Sequence, residues 1–574
     1  FNLKNIFQYL PVSKSSLVYI YLKPDFKTLT LKSIKPTLLL LLIAVGCSQK
    51  PAADLILFNG KIYTVDSTFS IVQAMVVSNG KIVETGSNAL EAKYQCRQKI
   101  DLMGKSVYPG FIDAHCHFYG YSTDLPKCPL FGTKSFDEVL QRVKEYASTN
   151  KFSWILGRGW DQNDWSDNEF PDKSVLDSMF PNTPVYLMRI DGHAALVNQK
   201  ALDIAGITTS TKVQGGEIIT KNNRLTGLLI DNAVDIVKAH IPEFTAQIKT
   251  EGLIKGERNC FAVGLTSVVD AGLRVSDILL LDSLQKTGTL SMKIYAMAEL
   301  TNESKKYWFE KGKYKSDRLD VRSFKLYADG ALGSRGACLL QPYSDLPGHY
   351  GFILQDKDSI RLAVKEVMEH GFQLNTHCIG DSANRFMLKT YAANLKTKND
   401  FRWRIEHCQV VNHDDLKYFS DYSIIPSVQP THATSDMYWA EKRLGSVRIH
   451  DAYSNNALLK ETGMLALGSD FPVEDINPLY GFYAAVVRKD QKGFPPEGFE
   501  IENSISRTEA LRGMTIWAAY SMFEENEKGS LEKGKAADFV IMNDDLMTAP
   551  DSVLFKLPVE ATYSNGVKVY ENKK

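Results

Sequence analysis

Short apolar runs alternate with amphipathic stretches through the middle of the chain, a rhythm that predicts parallel strands joined by helices. Eight runs qualify as strands: Val107–Asp113, Leu265–Asp270, Leu290–Ala296, Arg322–Ala328, Gln373–His377, Trp403–His407, Ile424–Gln429 and Met464–Ser469. Eight strands close a (β/α)8 barrel, so the expected class is α/β with a TIM-like barrel. The gap between the first and second runs is too long for one crossover. Residues from about 119 to 254 are therefore expected to hold an inserted subdomain, marked by ILGRGWDQNDW and YLMRIDGHAALVN.

The two ends of the chain follow another pattern. ADLILFNGKIYTVD, AMVVSNGKIVETG and VEATYSNGVKVYEN are β-rich runs broken by Asn-Gly, the signal of a tight hairpin. Residues 54–106 and 527–574 are expected to build one small β-sandwich around a barrel spanning 107–526. Before them stand a linker over 47–53 and a targeting segment over 1–46. Lys23, Lys27, Lys32 and Lys35 precede the apolar run Leu38–Val45, which is too short to span a bilayer and has the size of a signal-peptide core. Gly46-Cys47-Ser48 then resembles a bacterial lipobox, with Ala44 a weaker match than leucine. The expectation is an exported bacterial lipoprotein that meets the membrane only through an acyl anchor at Cys47; an uncleaved anchor or a plain secretory signal is the alternative.

Composition narrows the partners. Lys+Arg and Asp+Glu both number 67, so no basic excess points to nucleic acid, and a small-molecule substrate fits better. The sequence leaves a homo-oligomer open. The eight cysteines form no CxxC pair, which argues against both a disulfide scaffold and a zinc ribbon. Cys116, Cys378 and Cys408 each follow a histidine and, on a strand, face the opposite side. Packing behind the histidines is their expected role.

Functional groups of a barrel come from the C-terminal ends of its strands. His115 and His117, in DAHCH, are two apart and can grip one ion from the same strand face. His377 and His407 end the fifth and sixth runs, where a lone histidine is more often a hydrogen-bonded core residue; together they suggest a second ion. Asp470 follows the eighth run and could bind metal and take a proton, or merely cap a helix ahead of Pro472. Lys325 shares a strand face with Val321, Ser323 and Tyr327. Burial there lowers its pKa, and a neutral amine beside cations can take up carbon dioxide as a bridging carbamate; snorkelling or pairing with Asp329 is the plainer role. Trp160, Asp161, His193, Arg335 and His432 are weaker candidates for substrate contact.

From about Asp54 to its end, the chain resembles the amidohydrolase superfamily, in the YtcJ-like branch that includes N-substituted formamide deformylases. The resemblance rests on GFIDAHCH, GRGWDQNDW, RIDGHAALVN, GLTSVVDAG, KLYADGALGSR, THCIGD, RIEHCQ, GSDFPVEDINP and GSLEKGKAADFVI. It implies a first metal site of His115, His117 and Asp470, a second of His377 and His407, and a carboxylated Lys325 as bridge. Two divalent ions are implied; zinc suits the histidines, and iron or manganese could also serve. The implied reaction is hydrolysis of a non-peptide C–N bond, amide or formamide, by a hydroxide shared between the ions, with Asp470 as general base. The alternatives are a one-metal deaminase of the same superfamily and a solute-binding lipoprotein without chemistry.

Overall fold

The apolar runs pair in chain order as a parallel sheet in the computed structural model, which describes residues 50–150 and 153–573. The expected targeting segment and Cys47 lie outside the described residues. The barrel strands are Phe111–Cys116, Leu265–Leu273, Lys293–Glu299, Leu319–Tyr327, Gln373–Cys378, Arg404–His407, Ile425–Val428 and Ala466–Leu467, each parallel to the next. First and last strands meet at a seam. There Ser469 Oγ donates to Asp113 Oδ2 at 2.6 Å, the Asp470 N–H to the His115 carbonyl at 2.7 Å, and the His117 N–H to the Phe471 carbonyl at 2.8 Å. A Cβ on Gly468 would stand 2.5 Å from the His115 nitrogen, so this approach requires glycine. The seam thus brings the two ends of the barrel, and the DAHCH and GSD segments with them, into contact.

Alternation along the strands separates two cores. Ile112, Ala114, Val269, Tyr295, Met297 and Ala466 pack in one cluster, whereas Phe111, Phe324, Cys378 and Cys408 pack in the larger cluster that includes helix residues such as Val364 and Leu388. Cys116 joins the larger cluster against strict alternation, because the pairing of its strand with Leu265–Leu273 shifts between Asp113 and Cys116. The three cysteines are therefore buried packing groups.

The expected first strand, Val107–Asp113, is two strands. Ser106–Pro109 pairs antiparallel with Phe539–Met542 in a six-stranded sheet, and only after Gly110 does the chain enter the barrel. A Cβ at Gly110 would collide with the Thr266 side chain, which is why the chain can cross over there. The second sheet has four strands in the order Lys81–Gly86, Ala74–Ser78, Ala52–Phe58, Gln95–Asp101. Ala52 and Ala53, expected in the linker, already belong to it, because Ala52 pairs with Gln95.

Two of the three Asn-Gly pairs are true hairpin turns. Asn79-Gly80 and Asn565-Gly566 have positive φ at both residues and join antiparallel neighbours. Asn59-Gly60 does not. Gly60 is absent from the positive-φ residues, and the turn carries the chain from Ala52–Phe58 in one sheet to Lys61–Tyr63 in the other.

The insert is a six-stranded sheet ordered Gly216–Lys221, Arg224–Asp231, Ala194–Val197, Val185–Arg189, Ile155–Trp160, Cys128–Pro129. Its extent is narrower than 119–254. Helices Phe118–Asp124 and Ala246–Ala262 lie against each other, with Gly252 and Gly256 so close to Ser122 that no Cβ fits. The second of these, starting before 254, leads straight into the second barrel strand.

Candidate metal centre

Five polar side chains converge at the C-terminal mouth of the barrel. His115, His117 and Asp470 offer ligand atoms that all lie within 4.8 Å of one another, and so do His407, His432 and Asp470. Asp470 Oδ1 stands 3.5 Å from His115 Nε2 and 3.2 Å from His117 Nε2, while Oδ2 is 3.6 Å from His432 Nε2. Asp470 starts no helix: the next helix, Pro478–Val487, is capped by Asn477. It sits instead at φ 61°, a left-handed conformation rare for a non-glycine residue.

Each first-strand histidine has one ring nitrogen fixed and one presented. His115 Nδ1 bonds to the Glu406 carboxylate, and His117 Nδ1–H donates to the Ala271 carbonyl at 3.0 Å. Both Nε2 atoms then face Asp470, the arrangement that orients imidazole ligands. Glu406 is in turn held by Arg404, whose Nη2 donates at 2.9 Å. Burial alone would raise the Glu406 carboxyl, but Arg404 and His115 bring it down to about 2. Neither partner was anticipated from sequence. The available signal was RWRIEHC, a buried strand carrying Arg and Glu two apart.

Strand alternation would place Glu406 and His407 on opposite faces, yet both serve the mouth. The reason is local: His407 and Cys408 have φ of 72° and 45°, so the strand turns left-handed as it ends. The His407 ring lies 4.9 Å from that of His115, 4.5 Å from His377 and 6.0 Å from His432, centroid to centroid. His377 belongs to neither three-residue group, and its nearest polar partners are the Gly330 carbonyl at 3.5 Å and Asp329 at 3.7 Å.

Lys325 reaches the centre, with Nζ 3.0 Å from His115 Nε2 and no pairing with Asp329, whose carboxylate accepts from the Cys338, Ile379 and Gly380 amides. Burial pulls its ammonium down to about 8 and the His115 imidazolium down to about 4. Burial likewise holds His377 and His407 well below the usual histidine range. Asp470 is ionised: burial would raise its carboxyl, but the adjoining His117 and His432 rings hold it well below the usual value. Neutral His115, His377 and His407 beside an ionised carboxylate are the protonation states that a metal ligand set requires, whereas burial would lower His432 but Asp470 and Glu474 lift it to about 10.

Two atoms test the fit. His407 Nδ1 and Asp470 Oδ1 are buried without a hydrogen-bond partner among the described residues, an arrangement that costs free energy unless something else meets them. With their imidazole and carboxylate neighbours they suit a divalent cation.

An open cavity of about 1030 Å³ leads to this cluster, lined by Asp161 and His193 from the insert. Trp160 and Arg335 do not line it. Trp160 is buried in the insert's own core, its indole donating to the Leu187 carbonyl at 2.8 Å, and Arg335 pairs with Asp345 at 2.9 Å. Asp161 is bound to the buried Arg189 guanidinium. His432, expected as a substrate contact, lines the cavity and also stands among the possible ligands, braced by Glu474 at 3.0 Å.

A family model described as "Amidohydrolase family" matches residues 98–570. Among curated proteins, the chain is 32% identical to Protein LONG AFTER FAR-RED 3 of Arabidopsis thaliana, over 97% of this chain and 96% of that one. It is 30% identical to Putative amidohydrolase YtcJ of Bacillus subtilis, over 89% and 98%, and 26% identical to N-substituted formamide deformylase of Arthrobacter pascens, over 90% and 98%. A crystal structure of an uncharacterized metal-dependent hydrolase from Pyrococcus horikoshii superposes with a TM-score of 0.71 at 27% identity, covering 87% of this chain and 99% of that one.

Proposed function

Because the chain belongs to the amidohydrolase family, in the branch that holds YtcJ and the N-substituted formamide deformylase, we propose that it hydrolyses a non-peptide C–N bond of an amide or formamide. The observation that carries the reading is the pair of ligand groups sharing Asp470 at the floor of the open cavity. His115, His117 and Asp470 would hold one divalent ion, with His377 and His407 about a second; zinc fits the donors best. Lys325 and His432 stand beside them. Lewis acidity toward a carbonyl oxygen and toward water is the chemistry such ions supply.

The chain's own residues do the rest. Glu406 and the Ala271 carbonyl hold the His115 and His117 rings, so that both Nε2 atoms stay aimed at the centre. Asp470, kept ionised by His117 and His432, accepts the proton lost by the attacking water and returns it to the leaving nitrogen. Lys325, with its pKa lowered by burial, is the amine that would form a carbamate with carbon dioxide.

A screen of the purified, metal-loaded protein with N-formyl, N-acyl and cyclic amides tests this, with Asp470→Asn as control. Turnover abolished by the substitution supports the reading; an Asp470→Asn protein with full activity, or protein that retains no metal, overturns it. One tightly bound ion per chain would favour the deaminase alternative. We also propose export with a lipid anchor at Cys47, which loss of membrane association in Cys47→Ser would support and its retention would refute. Among the described residues, no helix is long and apolar enough to cross a membrane.

A further inference from the structure

The insert contributes one imidazole to the mouth of the barrel. His193 follows the turn Asp191-Gly192, and its Nδ1 is 2.7 Å from Asp231 Oδ1; its backbone N–H donates to Asp191 Oδ1 at 3.0 Å. Arg189, fully buried, bonds both Asp161 and Asp191, so the turn is clamped from beneath. The other ring nitrogen, Nε2, has no hydrogen-bond partner among the described residues and is not a buried orphan. The ring lines the cavity, 5.1 Å from that of His377.

Asp231 is itself an unusual support. It has φ 49° and ψ −126°, a region that residues with a side chain rarely occupy. Its Oδ2 is buried without a partner. The carboxylate rests on the glycine-rich loop after the fourth barrel strand. The three atoms nearest a Cβ at Gly330 would all be Asp231 atoms, two at 2.5 Å and one at 2.7 Å, and a Cβ at Gly336 would collide with Oδ2. The barrel therefore sets where Asp231 stands, and Asp231 sets where the His193 ring points.

We propose that His193 is a catalytic residue supplied by the insert, its Nε2 hydrogen-bonding the substrate's amide group over the barrel-mouth cluster, with Asp231 as its positioning residue and Gly330 and Gly336 as the seat. This rests on the amide-hydrolase reading and assigns the part of that site the barrel does not build. A strained, orphaned carboxylate is costly to keep for packing alone, and a ring nitrogen left free toward a cavity is placed to meet a ligand.

Steady-state kinetics on N-butylformamide, with metal content and melting temperature measured in parallel, tests the assignment. His193→Ala and Asp231→Ala are each expected to lower kcat/KM by about 100-fold, the order seen when one hydrogen-bonding group is removed from an active site. The double variant should be no worse than His193→Ala alone, His193→Gln should recover part of the loss, and metal content should not change. Gly330→Ala should mimic Asp231→Ala. Activity of His193→Ala within threefold of the unsubstituted protein, or losses in the two single variants that multiply, would overturn it. A second arm does not depend on turnover. Acetamide titrated to saturation against protein labelled at the histidine ring nitrogens should shift the His193 resonances, and do so less in Asp231→Ala. No shift at His193 refutes the inference even if amides are hydrolysed, and a shift sustains it even if none is.

Discussion

Two buried clusters, one at each end of the barrel, hold their charge in opposite ways. At the floor, Lys293 Nζ reaches Asp538 at 2.7 and 2.5 Å and Asn565 Oδ1 at 2.8 Å, and Asp538 also accepts the Asn565 N–H at 2.8 Å. This tie fastens the third barrel strand to two segments of the C-terminal β-sandwich, with partners on both sides of the charge. At the mouth, His407 Nδ1 and Asp470 Oδ1 are buried without partners, and His407, Cys408 and Asp470 have left-handed backbones. The satisfied cluster fixes the fold; the unsatisfied one is where the fold gives up stability for a ligand.

Substitutions can break that contrast. The largest expected effect is at the mouth: Asp470→Asn should lower kcat by about 1000-fold, the range for loss of a general base, while the melting temperature stays within a few degrees. Lys325→Met should cost about 100-fold in kcat and reduce bound metal, measured by elemental analysis. In metal-free protein the same change should be neutral or stabilising, because an apolar side chain replaces a buried amine. That opposite sign with and without metal would be the sharpest confirmation of the contrast.

At the floor the signs reverse. Lys293→Met should cost about 3–5 kcal/mol in denaturant unfolding, by stranding the Asp538 carboxylate, with kcat per folded molecule unchanged. Asp538 also sets an acid limb. Burial would raise its carboxyl, but Lys293 holds it below the usual range. Its contribution is complete above the unfolded value of about 3.9 and is lost as pH falls through the lower folded value. Asp538→Asn should flatten that limb in a pH series of unfolding curves. The smallest effect is expected at Arg335, partly exposed and paired with Asp345 outside the cavity. Arg335→Ala should leave kcat/KM within about twofold and stability within about 1 kcal/mol.

Much of this was legible in the chain. Strand number, order and type follow from apolar runs, because a strand buried on both faces must be apolar along its length. The strand ends then picked out His115, His117, His377, His407 and Asp470, since a barrel presents its polar groups there, and the shared face of the fourth strand picked out Lys325. Less could be read of their partners. Glu406 adjoins His407, and alternation puts them on opposite faces; only the left-handed turn at His407 lets both serve one site. Trp160, a weaker candidate beside Asp161, is a core residue of the insert, because an aromatic at a strand end packs as readily as it binds.

The sequence by itself determined the class of fold, the hairpins at Asn79 and Asn565 and the residue types of the centre, all consequences of local periodicity and turn chemistry. Tertiary structure alone decided which groups meet. The seam at Gly468 sets Asp470 against two histidines more than 350 residues earlier in the chain, and the Gly330 loop seats an insert carboxylate that aims His193. Such contacts depend on close approach between distant backbones, a distance that no local pattern of residues encodes.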